Sequence, residues 1–242
     1  MLTESSLASF GDETSPDLSL DRDHLFPRPM RKSTLHQIQA EVVAGLAPGQ
    51  VTRAHGGTLF VGQLGQPIFV QLDLGSWRGD LRSHWYAKSL LFEAAEHEWL
   101  AAGGGDFGSL DGSVSDLGQA LLSKFLPFCE AARYVDDSML VNRLQLTQSL
   151  YSFGHDLALQ MIMGSSDEVE RLWKYVRETR EYQRQSGPRR GHVSGPDFVF
   201  LDALKALFQL NPKAARERIL GNSRLFQQAV FGGDTVFEGV GS

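Results

Sequence analysis

Arg171, Lys174, Arg177, Arg180 and Arg184 recur at steps of three and four residues, the interval that aligns side chains along one face of an α-helix. Trp173, Tyr175 and Tyr182 are interleaved with them, and Arg189 and Arg190 follow in a glycine- and proline-bearing loop, 186–196. Cations in this pattern can neutralise phosphates while aromatic rings stack on exposed bases. Arg171, Lys174, Arg177, Arg180, Arg184, Arg189, Arg190, Trp173 and Tyr182 are therefore the candidate nucleic-acid-binding residues. Glu178 and Glu181 lie among them, so a salt-bridged, solvated helix face is the competing explanation. Two short helices over 212–220 and 223–231, joined at Gly221-Asn222, have the outline of a helix-turn-helix, although only Arg224 and glutamines would reach base edges.

Other chemistry-bearing residues are more isolated. Glu93 and His97 share a helical face in a helix expected over 80–102, but His84, thirteen residues earlier, points away from His97, and neither HExxH nor a di-iron ExxH pair is present. No metal or other cofactor is expected. His155 and Asp156 fall in an apolar helix, where polar side chains need partners; as neighbours they diverge by about 100° and cannot face each other within that helix. Cys129, between Phe128 and Glu130, reads as a small buried hydrophobe rather than a nucleophile. The 56–65 stretch lacks the ending of a P-loop, Asp106-Phe107-Gly108 has no kinase segments around it, and GxSxG is absent.

The elements that would position these residues can be read from periodicity. The stretch 136–163 holds one glycine and no proline, with apolar residues on most of its circumference, as expected of a central core helix about 40 Å long. Gln145, Gln148, Ser152, His155, Asp156 and Gln160 interrupt it too often for a membrane span. Ser33 would cap a helix over 34–46, and short strands are expected at 50–53, 57–61 and 67–74, a hairpin or small antiparallel sheet. A long helix is read over 80–102, with Leu81, Trp85, Phe92, Ala95 and Trp99 along one line. A flexible glycine-rich loop follows at 102–113, then helices over 115–134, 167–185 and 197–210. The fold class is α+β, predominantly helical: six or seven helices around 136–163, with the sheet near 50–74.

Composition bounds the rest. The chain has 242 residues with 21% charged and 42% apolar, ordinary for a globular protein, and its single cysteine fits a reducing cytoplasm. Residues 1–27 hold six acids against Arg22, whereas 171–224 hold twelve of the twenty-three Lys/Arg against five acids, a local +7. Residues 1–30 read as a disordered acidic leader without a secretory signal pattern, serving as solvated leader, type III-like export leader or acidic arm. Residues 31–234 read as one globular domain, with a possible sub-boundary in the 102–113 loop, and 235–242 as a flexible tail. The charge polarity points to a non-enzymatic cytoplasmic regulatory or accessory protein that binds nucleic acid, DNA or RNA. An adaptor meeting an acidic protein surface with the same basic face, aided by Trp77 and the hairpin edge, is the alternative. An enzyme with a dispersed site drawn from His155, Asp156, Glu93 and His97 is the third class, and no membrane partner is expected.

Overall fold

Leu35, Ile38 and Val42 recur at helical spacing and are buried on one face of α1 (Lys32–Gly45). Arg31 rather than Ser33 stands at its N-cap. The computed structural model describes residues 30–91, 99–132, 150–186 and 195–239. Among these, α1 leads into a five-stranded antiparallel meander: β1 (Gln50–His55), β2 (Thr58–Gln63), β3 (Ile68–Trp77), β4 (Asp80–Ser89) and β5 (Ala101–Ser109). Five helices follow: α2 (Val114–Ala132), α3 (Leu150–Met163), α4 (Ser166–Ser186), α5 (Gly195–Leu210) and α6 (Pro212–Phe231). The fold is α+β, with a sheet larger than a hairpin.

The helix expected over 80–102 is not formed where it is described. Residues 80–89 are strand β4, and the glycine-rich segment expected to be a loop is strand β5. Leu81 and Trp85, four apart, satisfy a helical stripe and a strand alternation equally. Leu81, Ser83, Trp85, Ala87 and Ser89 are all buried while Arg82, His84, Tyr86 and Lys88 between them are not, and that period of two belongs to a strand. The connection decides the outcome. Arg78 and Gly79 both have positive φ, 52° and 91°, and close the two-residue turn that pairs Trp77 with Asp80; such turns match the twist of a hairpin.

On the inner face of the sheet, Trp85 stacks edge-on against Phe125 and Phe128 of α2, with ring centroids 5.8 and 6.2 Å away. α1 packs on α2. A second helical group is formed by α3, α4, α5 and α6. It meets the sheet through Phe69 on β3, whose ring takes Phe226 and Phe231 of α6 edge-on at 5.9 and 6.0 Å. Of the expected central helix, α3 is described from residue 150. Leu157, Ala158, Met161 and Ile162 are buried there as its apolar pattern requires, and residues 136–149 lie outside the described residues.

The two short helices expected around Gly221 are one helix. Ala215, Ile219, Ser223, Gln227 and Val230 form a continuous buried stripe through it, and a single glycine costs a helix only about 1 kcal/mol. α6 starts at Asn211, whose side chain accepts a hydrogen bond from the Ala214 amide at 3.1 Å, and stops at Gly232 with φ 71°. Instead of fraying beyond it, the chain is held at Val236 and Phe237. The Gln227 side-chain oxygen accepts both of their amides at 2.8 and 2.7 Å, and its nitrogen donates to the Phe237 carbonyl at 2.8 Å.

Candidate functional site

The expected basic stripe lies on α4, where two of its bases meet acids one turn away on the same helix. Arg171 donates to Glu168 through Nε and Nη2, at 2.8 and 2.7 Å, and Lys174 pairs with Glu178 at 3.9 Å. Arg177 is exposed. Trp173 is half-buried and packs on the core, leaving little of it as a stacking platform. Over its length α4 carries five acids and five bases. The α4 backbone includes Arg180, Tyr182 and Arg184, but their side chains, like Arg189 and Arg190, lie outside what is described.

Glu170 points from α4 to α5 and pairs with Lys205, a lysine only 3% exposed. The hydrogen bond from Lys205 holds the Glu170 carboxyl below the usual carboxylate range. A buried ammonium needs such a partner, so this pair ties α5 to α4 and is structural.

The cationic surplus sits instead on α6. Lys213, Arg216, Arg218 and Arg224 face one acid, Glu217, a net +3. Lys213, Glu217, Arg218, Arg224 and Gln228 are exposed. Gly221 lies near the middle of that outward arc at about 100° per residue, and an ideal Cβ there would meet nothing within 4 Å. Leu225, next to it on the surface, is 68% exposed. As the helix is continuous and Gln227 is buried and engaged, α6 does not supply the recognition helix of a helix-turn-helix.

A second polar cluster, hidden by the helical reading of 80–102, lies on the outer face of the sheet. Asp73 on β3 accepts from Thr58 Oγ1 at 2.7 Å and from Gln71 Nε2 at 3.0 and 3.1 Å. His84 pairs with Asp73 in register across β4, and Tyr86 is its diagonal neighbour. Burial, and then the Asp73 charge, push the Tyr86 hydroxyl above the ordinary tyrosine range. The Tyr86 ring lies 5.1 Å from that of Trp99, which is 38% exposed. Beyond them Arg82 bonds Asp106 at 3.4 Å and lies over the Trp77 ring at 5.6 Å. Carboxylate, imidazole, phenol and indole thus share a half-buried shelf beside the glycines of β5, suited to holding polar and aromatic side chains.

Of the residues considered for catalysis, only some are described. His84 is on the outer face of β4, and Glu93 and His97 lie outside the described residues. His155 is fully buried, with Nδ1 2.7 Å from Ser89 Oγ, which also accepts the Leu91 amide at 3.0 Å. A serine–histidine contact is the nucleophile–base pairing of hydrolases, but both side chains here are sealed from solvent and tie α3 to the end of β4. Cys129 is buried, as its apolar neighbours suggest. Among the described residues no group of three or more His, Cys, Asp or Glu could hold a metal ion, and no helix is long and apolar enough to cross a membrane.

No protein-family model matches the sequence, and no curated protein or solved structure is detectably similar to it.

Proposed function

We propose that this chain is a non-enzymatic accessory protein of the cytoplasm whose cationic C-terminal helices bind an acidic protein surface. The observation that supports this reading is the outward face of α6, where Lys213, Arg218 and Arg224 surround Gly221 and the exposed Leu225. Cations around an exposed leucine suit a protein partner, which offers acidic and apolar groups together. A missing side chain at Gly221 lets such a partner approach the helix backbone closely.

Nucleic-acid binding is the second reading, supported by the +7 surplus of residues 171–224. The ion pairs along α4 weigh against it, because phosphates would have to displace carboxylates already bonded to Arg171 and Lys174. One comparison separates the two. Nuclease-treated protein is titrated with labelled mixed-sequence DNA and RNA across a salt series, and a pull-down is run in parallel with an Arg218→Glu/Arg224→Glu variant. The adaptor reading expects no log-linear salt dependence with nucleic acid, and a nuclease-resistant partner that the double variant loses. Affinity falling linearly in log salt, with a slope reduced by changing Arg177, Arg180 and Arg184 to Ala, would overturn it in favour of nucleic acid.

A further inference from the structure

β5 is an edge strand, and the pairing of the sheet fixes which of its backbone groups face outward. The two-residue turn at Arg78-Gly79 makes Trp77 and Asp80 a hydrogen-bonded pair, and at the other end the Leu90 amide donates to the Pro67 carbonyl at 2.7 Å. In an antiparallel ladder, alternate residues bond to alternate neighbours. Asp80, Arg82, His84, Tyr86 and Lys88 therefore exchange hydrogen bonds with β3, leaving Ser83, Trp85 and Ala87 for their β5 partners Gly105, Gly103 and Ala101. Ala102, Gly104 and Asp106 turn their N–H and C=O groups to the far side. All three are exposed, and no backbone bond from them to another described segment exists beyond the β4 pairing.

Natural edge strands are usually guarded by lysine, proline, a bulge or a covering helix. Here residues 101–105 read Ala-Ala-Gly-Gly-Gly. Among the described residues protection comes at the far end, where the register shifts near Arg82 and Gly108 takes φ 102°. We propose that the free edge over residues 102–106 is a docking site for an extended segment of a partner protein, which joins the sheet as a sixth strand. A row of outward N–H and C=O groups at strand spacing is complemented by another extended polypeptide.

The flanks of the edge specify that segment further. On the inner side, Lys124 of α2 lies over the Phe107 ring at 5.1 Å, and its Nζ is 3.5 Å from where a Cβ on Gly105 would be. The added strand therefore carries an acidic residue on that side. On the outer side the His84 imidazole lies over Gly104, its Nδ1 2.9 Å from where a Cβ would stand, and the Tyr86 and Trp99 rings flank Ala102, so the added strand meets aromatic surface there and carries an aromatic or apolar residue. A second copy of the chain fits less well. Antiparallel pairing of two β5 edges would bring two Lys124 ammonium groups to the same side of the joint sheet, where like charges repel. This surface is distinct from the α6 face and does not depend on it.

The test uses the full chain and a phage-displayed library of random nine-residue peptides. Enriched peptides are expected to alternate apolar residues with at least one Asp or Glu. Amide exchange is expected to be fast at Ala102 and Gly104 in the free chain and slowed by an enriched peptide, with Gly103 and Gly105 protected throughout. Ala102→Pro removes an outward N–H without touching a β4 bond and should weaken binding about tenfold or more. Ala102→Val keeps the N–H and should bind within about threefold, and Lys124→Glu should shift the preference toward basic peptides. Exchange at Gly103 and Gly105 verifies that the proline variant is folded; should it not be, the Lys124→Glu preference and the exchange pattern of the unaltered chain decide. Ala102 and Gly104 already protected in the free chain, no enrichment, peptides indifferent to both substitutions, or protection that rises with protein concentration alone would each overturn the proposal, the last by assigning the edge to a second copy.

Discussion

Trp85 and Gly103 face each other across β4 and β5, and the indole fills the space that any side chain at position 103 would need. An ideal Cβ there would stand 2.2 Å from Trp85 Nε1. The glycine is thus the floor on which the largest inward side chain of β4 lies, with Phe125 and Phe128 closing over it from α2.

Gly103→Ala is expected to lower stability by roughly 1–3 kcal/mol, the usual cost of overpacking a tight core. Gly105→Ala should cost less, because its nearest neighbour is the far end of the Phe107 ring at 3.2 Å. Urea denaturation of the two variants checks the order, and an equal or reversed effect would remove the packing role given to Gly103.

That pairing also explains what was legible in the sequence. α1, α2 and the first three strands follow from Leu35, Ile38 and Val42, from Leu117, Leu121, Phe125 and Phe128, and from the alternation of β3; the steps of three in both helices exclude a strand period. β4 was ambiguous because Leu81 and Trp85 fit both periods, and β5 was illegible because glycine in a strand ordinarily argues against one. Only the partner Trp85 makes Gly103 favourable, and that contact is long-range. The double periodicity of β4 conceals the Asp73–Tyr86 shelf and the edge as well. Along α4 the spacing places the bases on one helix, but the Glu168 and Glu178 partners of Arg171 and Lys174 decide what that part of the stripe is worth.

Gln227 serves as a backbone surrogate for the segment at Val236 and Phe237. Replacing it with Ala would leave the amides of Val236 and Phe237 and the carbonyl of Phe237 without that partner. Each buried group so stranded costs about 1–3 kcal/mol, less where water reaches it. Gln227→Ala is therefore expected to lose about 2–4 kcal/mol and to accelerate proteolysis beyond residue 233. Gln227→Glu keeps the acceptor but sets a buried carboxylate oxygen against the Phe237 carbonyl, so its loss is expected to be at least as large. Limited proteolysis and thermal unfolding measure both, and an unchanged cleavage pattern in the Ala variant would contradict the clamp.

Tyr86 supplies a titration test of the outer shelf. Its hydroxyl is held above the ordinary tyrosine range by burial and by the Asp73 carboxylate, so the unfolded chain loses this proton first. Its contribution to stability is fully present below the usual tyrosine value near 10 and falls as pH rises through that value toward the raised one. Ultraviolet absorbance should show one tyrosine ionising late. Asp73→Asn should move that titration down by removing the negative charge while leaving the burial. If the late tyrosine does not respond to Asp73→Asn, the two side chains are not in electrostatic contact.

Gly221 allows stability and binding to be read apart. It lies in the middle of α6 on the outward face, with no atom of the described chain near a Cβ. Glycine there costs the helix about 0.5–1 kcal/mol relative to alanine, so Gly221→Ala should raise the midpoint of thermal unfolding. If the position is free surface, that gain is the only effect. If a partner backbone closes on this face between Arg218, Arg224 and Leu225, a bulkier Gly221→Leu should weaken the complex while still folding well, and Leu225→Ala should weaken it through lost apolar contact. Binding and unfolding measured on the same three variants give opposite signs for Gly221→Leu under the adaptor reading: a stabler monomer and a weaker complex. A variant that is stabler and binds as before would instead identify this face of α6 as ordinary solvated surface.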